Sequence, residues 1–348
     1  MTLERRKPPT IFDVASAAGV SKSTVSNVVR GVAEVSPTTR ERVLAAIERL
    51  DYKPNAIARQ FVQQRTTILG VLLGDLSNPY YAQMAQVVER SAFGWGYTTM
   101  FCNIDGSEEI AVAGVDALLG HRVAGIVFLA FVARRSQLND LLQRAGVPIV
   151  FLGLSERWGD SVGPSDREGG RLATNHLLTL GHRRIAYVRT PLVERSGDES
   201  RYAGYRSAMV LAGATPQPVV VWQPGSDWVR INRRRVALSQ AIAGPSAPTA
   251  MFASNDIGAI ALIEACENIG LKVPSDLSVV GFDDIAIASL HRIALTTVSQ
   301  PMHFQAEQAV GLLRERIENP SLPWRHVRVP VELRIRESTR ATDGQRLT

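Results

Sequence analysis

Three polar residues, Lys22, Ser23 and Asn27, lie close together in the segment Asp13 to Gly31, DVASAAGVSKSTVSNVVRG. Lysine donates to guanine O6 and N7, asparagine bonds adenine N6 and N7 in bidentate fashion, and serine serves either base. The triad therefore holds the donors and acceptors needed to read base edges in a major groove. Ser21, Thr24 and Ser26 stand beside them. Short hydroxyls next to the free amides of a helix N-terminus suit phosphate oxygens, which position a protein on DNA without reading its sequence.

These side chains need a helix that presents them outward. Val14, Ala15 and Ala18 share one helical face, Gly19 supplies a turn, and Ser21 is placed to cap a second helix whose Val25, Val28 and Val29 point inward. Two helices joined by a tight turn at this spacing form a helix-turn-helix, with the second helix fitted to the groove. Ser36-Pro37 predicts the start of a third helix with Val43, Leu44, Ile47 and Leu50 as its apolar stripe. Residues 1–52 are thus expected to form an all-α head. The segment 53–66 follows, and its Asn55 to Val62 predicts a helix too short to be stable alone. Such a basic segment either serves as a plain linker or is folded by DNA, pressing an apolar side chain between base steps of the minor groove.

From residue 67 to 340 apolar runs alternate with amphipathic stretches. The runs are Ile68 to Leu73, Gly125 to Leu129, Pro148 to Leu152, Ile185 to Val188, Ala250 to Ala253 and Val279 to Phe282; Tyr81 to Phe93 and Gly258 to Asn268 read as helices between them. Alternation of this kind predicts α/β architecture with parallel sheets covered on both faces. The length exceeds one comfortable doubly wound unit, so two lobes with a ligand crevice between them are expected. A polar tail, 341–348, closes the chain.

The order and spacing of DVASAAGVSKSTVSNVVRG, VSPTTRERVLAAIERLDYKPNAIAR, ILGVLLGDLSNPYYAQM, NHLLTLGHRRIAYV, SRYAGYRSAM, FASNDIGAIALIEACENIGLKVPSDLSVVGFDD and LTTVSQP resemble the LacI/GalR family of bacterial transcriptional regulators along essentially the whole chain. The resemblance implies a repressor of carbohydrate or related genes: a homodimer or higher assembly on a near-palindromic double-stranded operator, with a hinge helix and a two-lobed body, like periplasmic sugar-binding proteins, that closes around a small carbohydrate-like effector. It places Asn55 and Arg59 on the DNA backbone and Phe61, where the family commonly carries leucine, as the minor-groove wedge. The effector pocket it implies falls on Asp75, Tyr80, Tyr81, Arg201, Trp228, Asn255 and Asp283. Aromatic faces would pack on a ring while Arg, Asn and Asp bond its hydroxyls. Each has a plainer reading: Tyr80 and Tyr81 as lobe packing, Trp228 as a surface ring, Asp283 as a helix cap. Gly153 stands where some relatives have a pocket aspartate, and Ala124 replaces a frequent aspartate.

An enzyme is the competing class, because Gly159-Asp160-Ser161-Val162-Gly163 fits the G-x-S-x-G nucleophile elbow. That turn needs an apolar strand before it and a helix after it, whereas Arg157-Trp158 precede and Pro164 follows. No phosphate-binding G-x-x-x-x-G-K-[ST] occurs, the six histidines show no paired metal spacing, and His182 reads as a helix-end residue, so no catalytic residue, cofactor or metal is expected.

Charge distribution agrees with a DNA-binding head. Residues 1 to 65 carry eleven Lys/Arg against six Asp/Glu, while the remainder carries 28 against 27. A sugar-binding protein without DNA function would need only the body, and neither the basic head nor the absence of an export signal fits it. No run reaches the about 18 apolar residues of a membrane helix. Cys102 and Cys266, in apolar stretches without a Cys-x-x-Cys partner, read as buried free thiols, and a cytoplasmic location is expected.

Overall fold

The computed structural model describes residues 9–29, 34–52, 66–130, 132, 136–154, 156–189, 197–217, 220–221 and 247–342. Two compact units, Met1–Thr66 and Thr67–Thr348, divide the chain.

The first unit contains α1 (Ile11–Ala18), α2 (Lys22–Val29) and α3 (Pro37–Arg49). Thr10 and Asp13 form a reciprocal capping box at the start of α1, and Gly19 ends it in the left-handed conformation, φ 62°, that a side chain would strain. Ser36 caps α3 by accepting from Thr39 N–H, with Pro37 in the first turn. Val14, Ala15, Ala18, Val25, Val28, Val43 and Ala46 make the core. The expected stripe of α3 is corrected at Leu44, which is exposed; Ala46 takes the inward place, because the helical period puts it next to Val43.

The second unit holds two six-stranded sheets. One runs β11-β5-β4-β3-β1-β2, where β1 is Ile68–Leu73, β2 Thr98–Asn103, β3 Gly125–Leu129, β4 Ile149–Leu152, β5 Asp160–Pro164 and β11 His326–Val329, all parallel. The other runs β12-β10-β9-β8-β6-β7, where β6 is Ile185–Arg189, β7 Val220–Val221, β8 Ala250–Ala253, β9 Ser278–Asp283, β10 Thr296–Ser299 and β12 Glu332–Arg334. Only β12 departs from the parallel arrangement, pairing antiparallel with β10. Helices α4 (Pro79–Gly94), α5 (Glu108–Gly120), α6 (Ser136–Arg144) and α10 (Met302–Glu318) cover the first sheet, and α7 (Asp166–Thr179), α8 (Gly197–Leu211) and α9 (Asp256–Asn268) the second.

The chain crosses between sheets after Pro164, after Ser299 and after Val329, so three crossovers join two lobes. Sequence periodicity overlooks β2, β5, β7, β10, β11 and β12. Edge strand β2 is only half covered, β5 carries Asp, Gly and Pro, and β10 buries two threonines, so none reads as a continuous apolar run. Cys266 is buried as expected, but Cys102 lies on that edge strand and is only partly covered.

In the second lobe α7 and α8 pack backbone to backbone. A Cβ added at Gly170 would lie 2.1 Å from the Arg201 carbonyl oxygen, and one at Gly204 would lie 2.1 Å from that of Arg167. Glycine at both crossing points is what brings Arg201 down onto the first turn of α7.

Candidate functional site

In the head, Lys22 and Ser23 are exposed at the start of α2 and Asn27 is half-buried one turn on. Lys22 Nζ lies 5.1 Å from the centroid of the Phe12 ring, which restrains the long side chain beside α1. Ser21 is partly committed to the helix: its Oγ accepts from Thr24 N–H at 3.1 Å and bonds the hydroxyls of Ser23 (2.7 Å) and Thr24 (2.9 Å). The guanidinium of Arg42, on α3, donates to the carbonyls of Ala18 and Gly19. One arginine thereby fixes the turn that sets the angle of α2 to α1. Asn55, Arg59 and Phe61 lie outside the described residues, as does Trp228.

In the body, the polar ends of β8 and β9 and the first turns of α4, α7 and α8 converge. Arg201 lies at the centre. Its Nε donates to Asp166 Oδ1 at 2.8 Å, its Nη1 to the Ser254 carbonyl at 2.5 Å, and Nη1 is 3.9 Å from Asp283 Oδ1. The guanidinium lies 3.6 Å from the centroid of the Phe282 ring, which forms its apolar floor. Flanking carboxylates hold this buried arginine protonated, raising its affinity for the proton further above the usual guanidinium range despite the opposing effect of burial.

Asp283 is not a helix cap. Gln300 Nε2 donates to its Oδ1 at 2.6 Å, and Gln305 Nε2 donates to Gln300 Oε1 at 3.3 Å. Burial pushes the Asp283 carboxyl well above the ordinary range, with neighbouring Asp256 adding to it and Arg201 pulling it back. Asp283 and Asp284 both have positive φ, 127° and 58°, a conformation costly for non-glycine residues. Such strain persists where the surroundings over-determine it, here through Gln300, Arg201 and the 2.6 Å pair of Asp284 with Arg336.

Tyr80 and Tyr81 open α4 on the opposite lobe, buried and edge to face with centroids 5.3 Å apart. Burial raises both phenol pKa values, and the carboxylate of Asp283 raises them further. Asp75 is tied to its own turn, its Oδ1 accepting from Ser77 N–H (2.8 Å) and O–H (2.6 Å). Asn255 caps α9, its Oδ1 accepting from Gly258 N–H at 2.7 Å. Gly153 adopts φ 82°, where a side chain would be strained, and a Cβ there would touch the Tyr80 phenol oxygen at 3.9 Å.

Sequence reasoning missed Asp166, Gln300 and Arg189. Arg189 ends β6 and pairs through Nε with Asp198 Oδ2 at 3.1 Å, while its buried Nη2 has no partner among the described residues. The available signal was position. All three stand at or just past the carboxyl ends of strands, where open parallel sheets bind ligands. The G-x-S-x-G segment is itself strand β5; Ser161 is buried within it and bonds His326 Nδ1 on the neighbouring strand at 2.8 Å, while Asp160 accepts from Arg316 Nε and Nη2 at 3.1 Å. The exposed strand-to-helix turn of a nucleophile elbow is not formed there. His182 stitches α7 to its neighbours through Thr249, Ser278 and the Arg340 carbonyl. No helix among the described residues is long and apolar enough to cross a membrane.

The family model "Bacterial regulatory proteins, lacI family" matches residues 10–55, and "Periplasmic binding protein-like domain" matches residues 174–339. The ribose operon repressor of Escherichia coli (strain K12) is 35% identical over 315 residues, 90% of this chain and 94% of that protein. Among solved structures, the lac repressor dimer bound to operator and the anti-inducer ONPF is similar at TM-score 0.82 and 30% identity, covering 96% of this chain and all of that one. A LacI family transcriptional regulator from Enterococcus faecium with bound ribose is similar at TM-score 0.67 and 28% identity, covering 79% of this chain and all of that one. With a helix-turn-helix head, a two-lobed α/β body and this similarity along its length, the chain belongs to the lacI family of bacterial regulatory proteins, DNA-binding transcription regulators that respond to small effectors.

Proposed function

We propose that this chain is a cytoplasmic repressor that binds a near-palindromic operator as a homodimer and releases or tightens it when a small carbohydrate-like effector closes the crevice between its lobes. The observation that carries the effector reading is the buried guanidinium of Arg201, held by Asp166 at 2.8 Å and facing Asp283 at 3.9 Å, with tyrosines opposite. A fixed fork beside a carboxylate bonds vicinal hydroxyls at a defined angle. Asp75, Tyr80, Tyr81, Arg201, Asn255, Asp283 and, outside the described residues, Trp228 are assigned to the effector. Asp166 and Gln300 position Arg201 and Asp283. Relatives named for ribose, or holding it, make a pentose the first compound to test.

On DNA, Lys22, Ser23 and Asn27 read bases, while Ser21, Thr24, Ser26, Asn55 and Arg59 bond the backbone and Phe61 wedges the minor groove. Residues 1–52 serve as head, 53–66 as hinge and 67–340 as effector body. Three crossovers let the lobes close on a ligand, and an effector that binds open and closed states differently shifts the operator equilibrium reciprocally. A thermal-shift screen of pentoses, hexoses, polyols, sugar acids and nucleosides, followed by operator titration with each hit, tests the reading. A hit that stabilises the body and changes operator affinity supports it. Hits that stabilise without changing operator affinity would separate ligand binding from regulation.

A further inference from the structure

A cavity of about 460 Å³ borders the Arg201 network at Asp166, and its other lining residues are mainly basic and hydroxylic. Arg167 and Arg171 on α7, Ser200 and Ser207 on α8, Ser165 at the crossover and Arg328 on edge strand β11 line it. It therefore has walls from both lobes. Gly163, paired in register with Arg328, sets that arginine's place: a Cβ at Gly163 would lie 3.4 Å from its Nη1. The floor is backbone, because Gly204 lets α8 rest on the Arg167 carbonyl.

Two carboxylates border this cavity, and each is already paired with an arginine, Glu168 with one that also lines the cavity. Asp166 accepts from Arg201 on the crevice side at 2.8 Å, and Glu168 pairs with Arg171 through two hydrogen bonds, 2.8 and 2.5 Å. Arg167 and Arg328 have no carboxylate partner among the described residues. Ser165 precedes the 14-residue helix α7 without a side-chain capping bond, so its hydroxyl is not used as a cap. Two uncompensated guanidinium groups, three hydroxyls and uncapped helix amides converge on a space of the size small ligands occupy.

We infer that this cavity is a second ligand site, separate from the sugar crevice, which takes a small phosphorylated metabolite and bridges the two lobes through Arg328 on one and Arg167 on the other. A bare phosphate ion fills only part of the volume, so the ester's organic body contributes to the fit. Neutral sugars gain little there, because the site offers charge and no apolar ring face.

The test uses the full chain at matched ionic strength, with thermal shift and calorimetry. Inorganic phosphate and ribose 5-phosphate are the probes, and ribose and chloride the controls. Ribose 5-phosphate should stabilise the protein more than phosphate does, and Arg167→Glu/Arg328→Glu should weaken its binding about 10-fold or more. Both arginines are exposed, so the double variant keeps its core, and the single lysine replacements should retain intermediate binding. Asp283→Ala should leave the ribose 5-phosphate response intact. Equal binding by wild type and the double variant, or loss of the response in Asp283→Ala, would place the phosphate ester in the crevice and overturn the site. Absence of any wild-type response would also overturn it. So would a double variant that loses operator affinity with no phosphate present, since the arginines would then be serving DNA.

Discussion

The head and the crevice solve opposite problems with similar residues. In the head, a small core built mainly of valines and alanines holds three short helices together, and Lys22 and Ser23 at the start of α2 are exposed. On the proposed reading, Lys22 and Ser23 lose their water only when DNA binds. In the crevice, Tyr80, Asp166, Arg201, Asp283 and Gln300 come from separate parts of the chain and are already withdrawn from water. Their polar groups are satisfied within the fold, by the ion pair of Asp166 with Arg201 and by the hydrogen bond Gln300 donates to Asp283. A surface reader tolerates substitution with little loss of stability, whereas a buried polar network ties recognition to folding.

That contrast predicts where damage spreads. The largest effect should come from Gly170→Ala, which places a methyl 2.1 Å from the Arg201 carbonyl and forces α7 and α8 apart. The body should lose about 2–3 kcal/mol in denaturant unfolding, and sugar binding should fall with it. Unchanged stability would mean the two helices do not hold Arg201 in place. Next, Asn27→Ala should cost about 1–3 kcal/mol of operator affinity and relax one base position in binding-site selection, with sugar calorimetry unchanged. An identical sequence preference would remove Asn27 from base readout. Arg42→Met should cost the head about 1 kcal/mol by leaving the Ala18 and Gly19 carbonyls without their donor, and should leave the body's melting untouched.

Legibility divides along the same line. The turn at Gly19 and the cap at Ser36 are local signals, so the head could be read from consecutive residues, although the capping box of Thr10 with Asp13 was not read there. Continuous apolar strands such as β1 and β3 were legible for the same reason. Strand β5 was not, since Asp160 and Pro164 belong to it only because Arg316 neutralises the one and the crossover follows the other. Within the crevice, Arg201 and Asp283 came from resemblance. Asp166 and Gln300 had no local pattern to mark them, because their importance lies in which distant side chain they meet.

The smallest effect concerns pH. Burial pushes the Asp256 carboxyl from 3.8 up to about 6, although Thr297 and the Ile285 amide bond it. The folded state holds that proton longer than the unfolded chain, so this contribution is full below about pH 4 and is lost as pH rises toward 6. His176 and His182 are shifted down from 6.5, chiefly by burial; their contribution is present above pH 6.5 and is lost as pH falls. The two oppose each other in the acid range. Asp256→Asn should therefore make melting temperature rise more steeply with pH between 4 and 6 than in wild type, and parallel profiles would show that Asp256 does not titrate there.

The most direct measurement is operator titration of Asp283→Ala by fluorescence anisotropy, with and without the sugar that shifts operator affinity in wild type. The head is intact in this variant, so its operator affinity without sugar should match wild type. Addition of sugar should then change nothing, where wild type changes by about 5- to 150-fold. A variant that still responds with wild-type amplitude would show that the Arg201–Asp283 crevice is not where the regulator senses its effector.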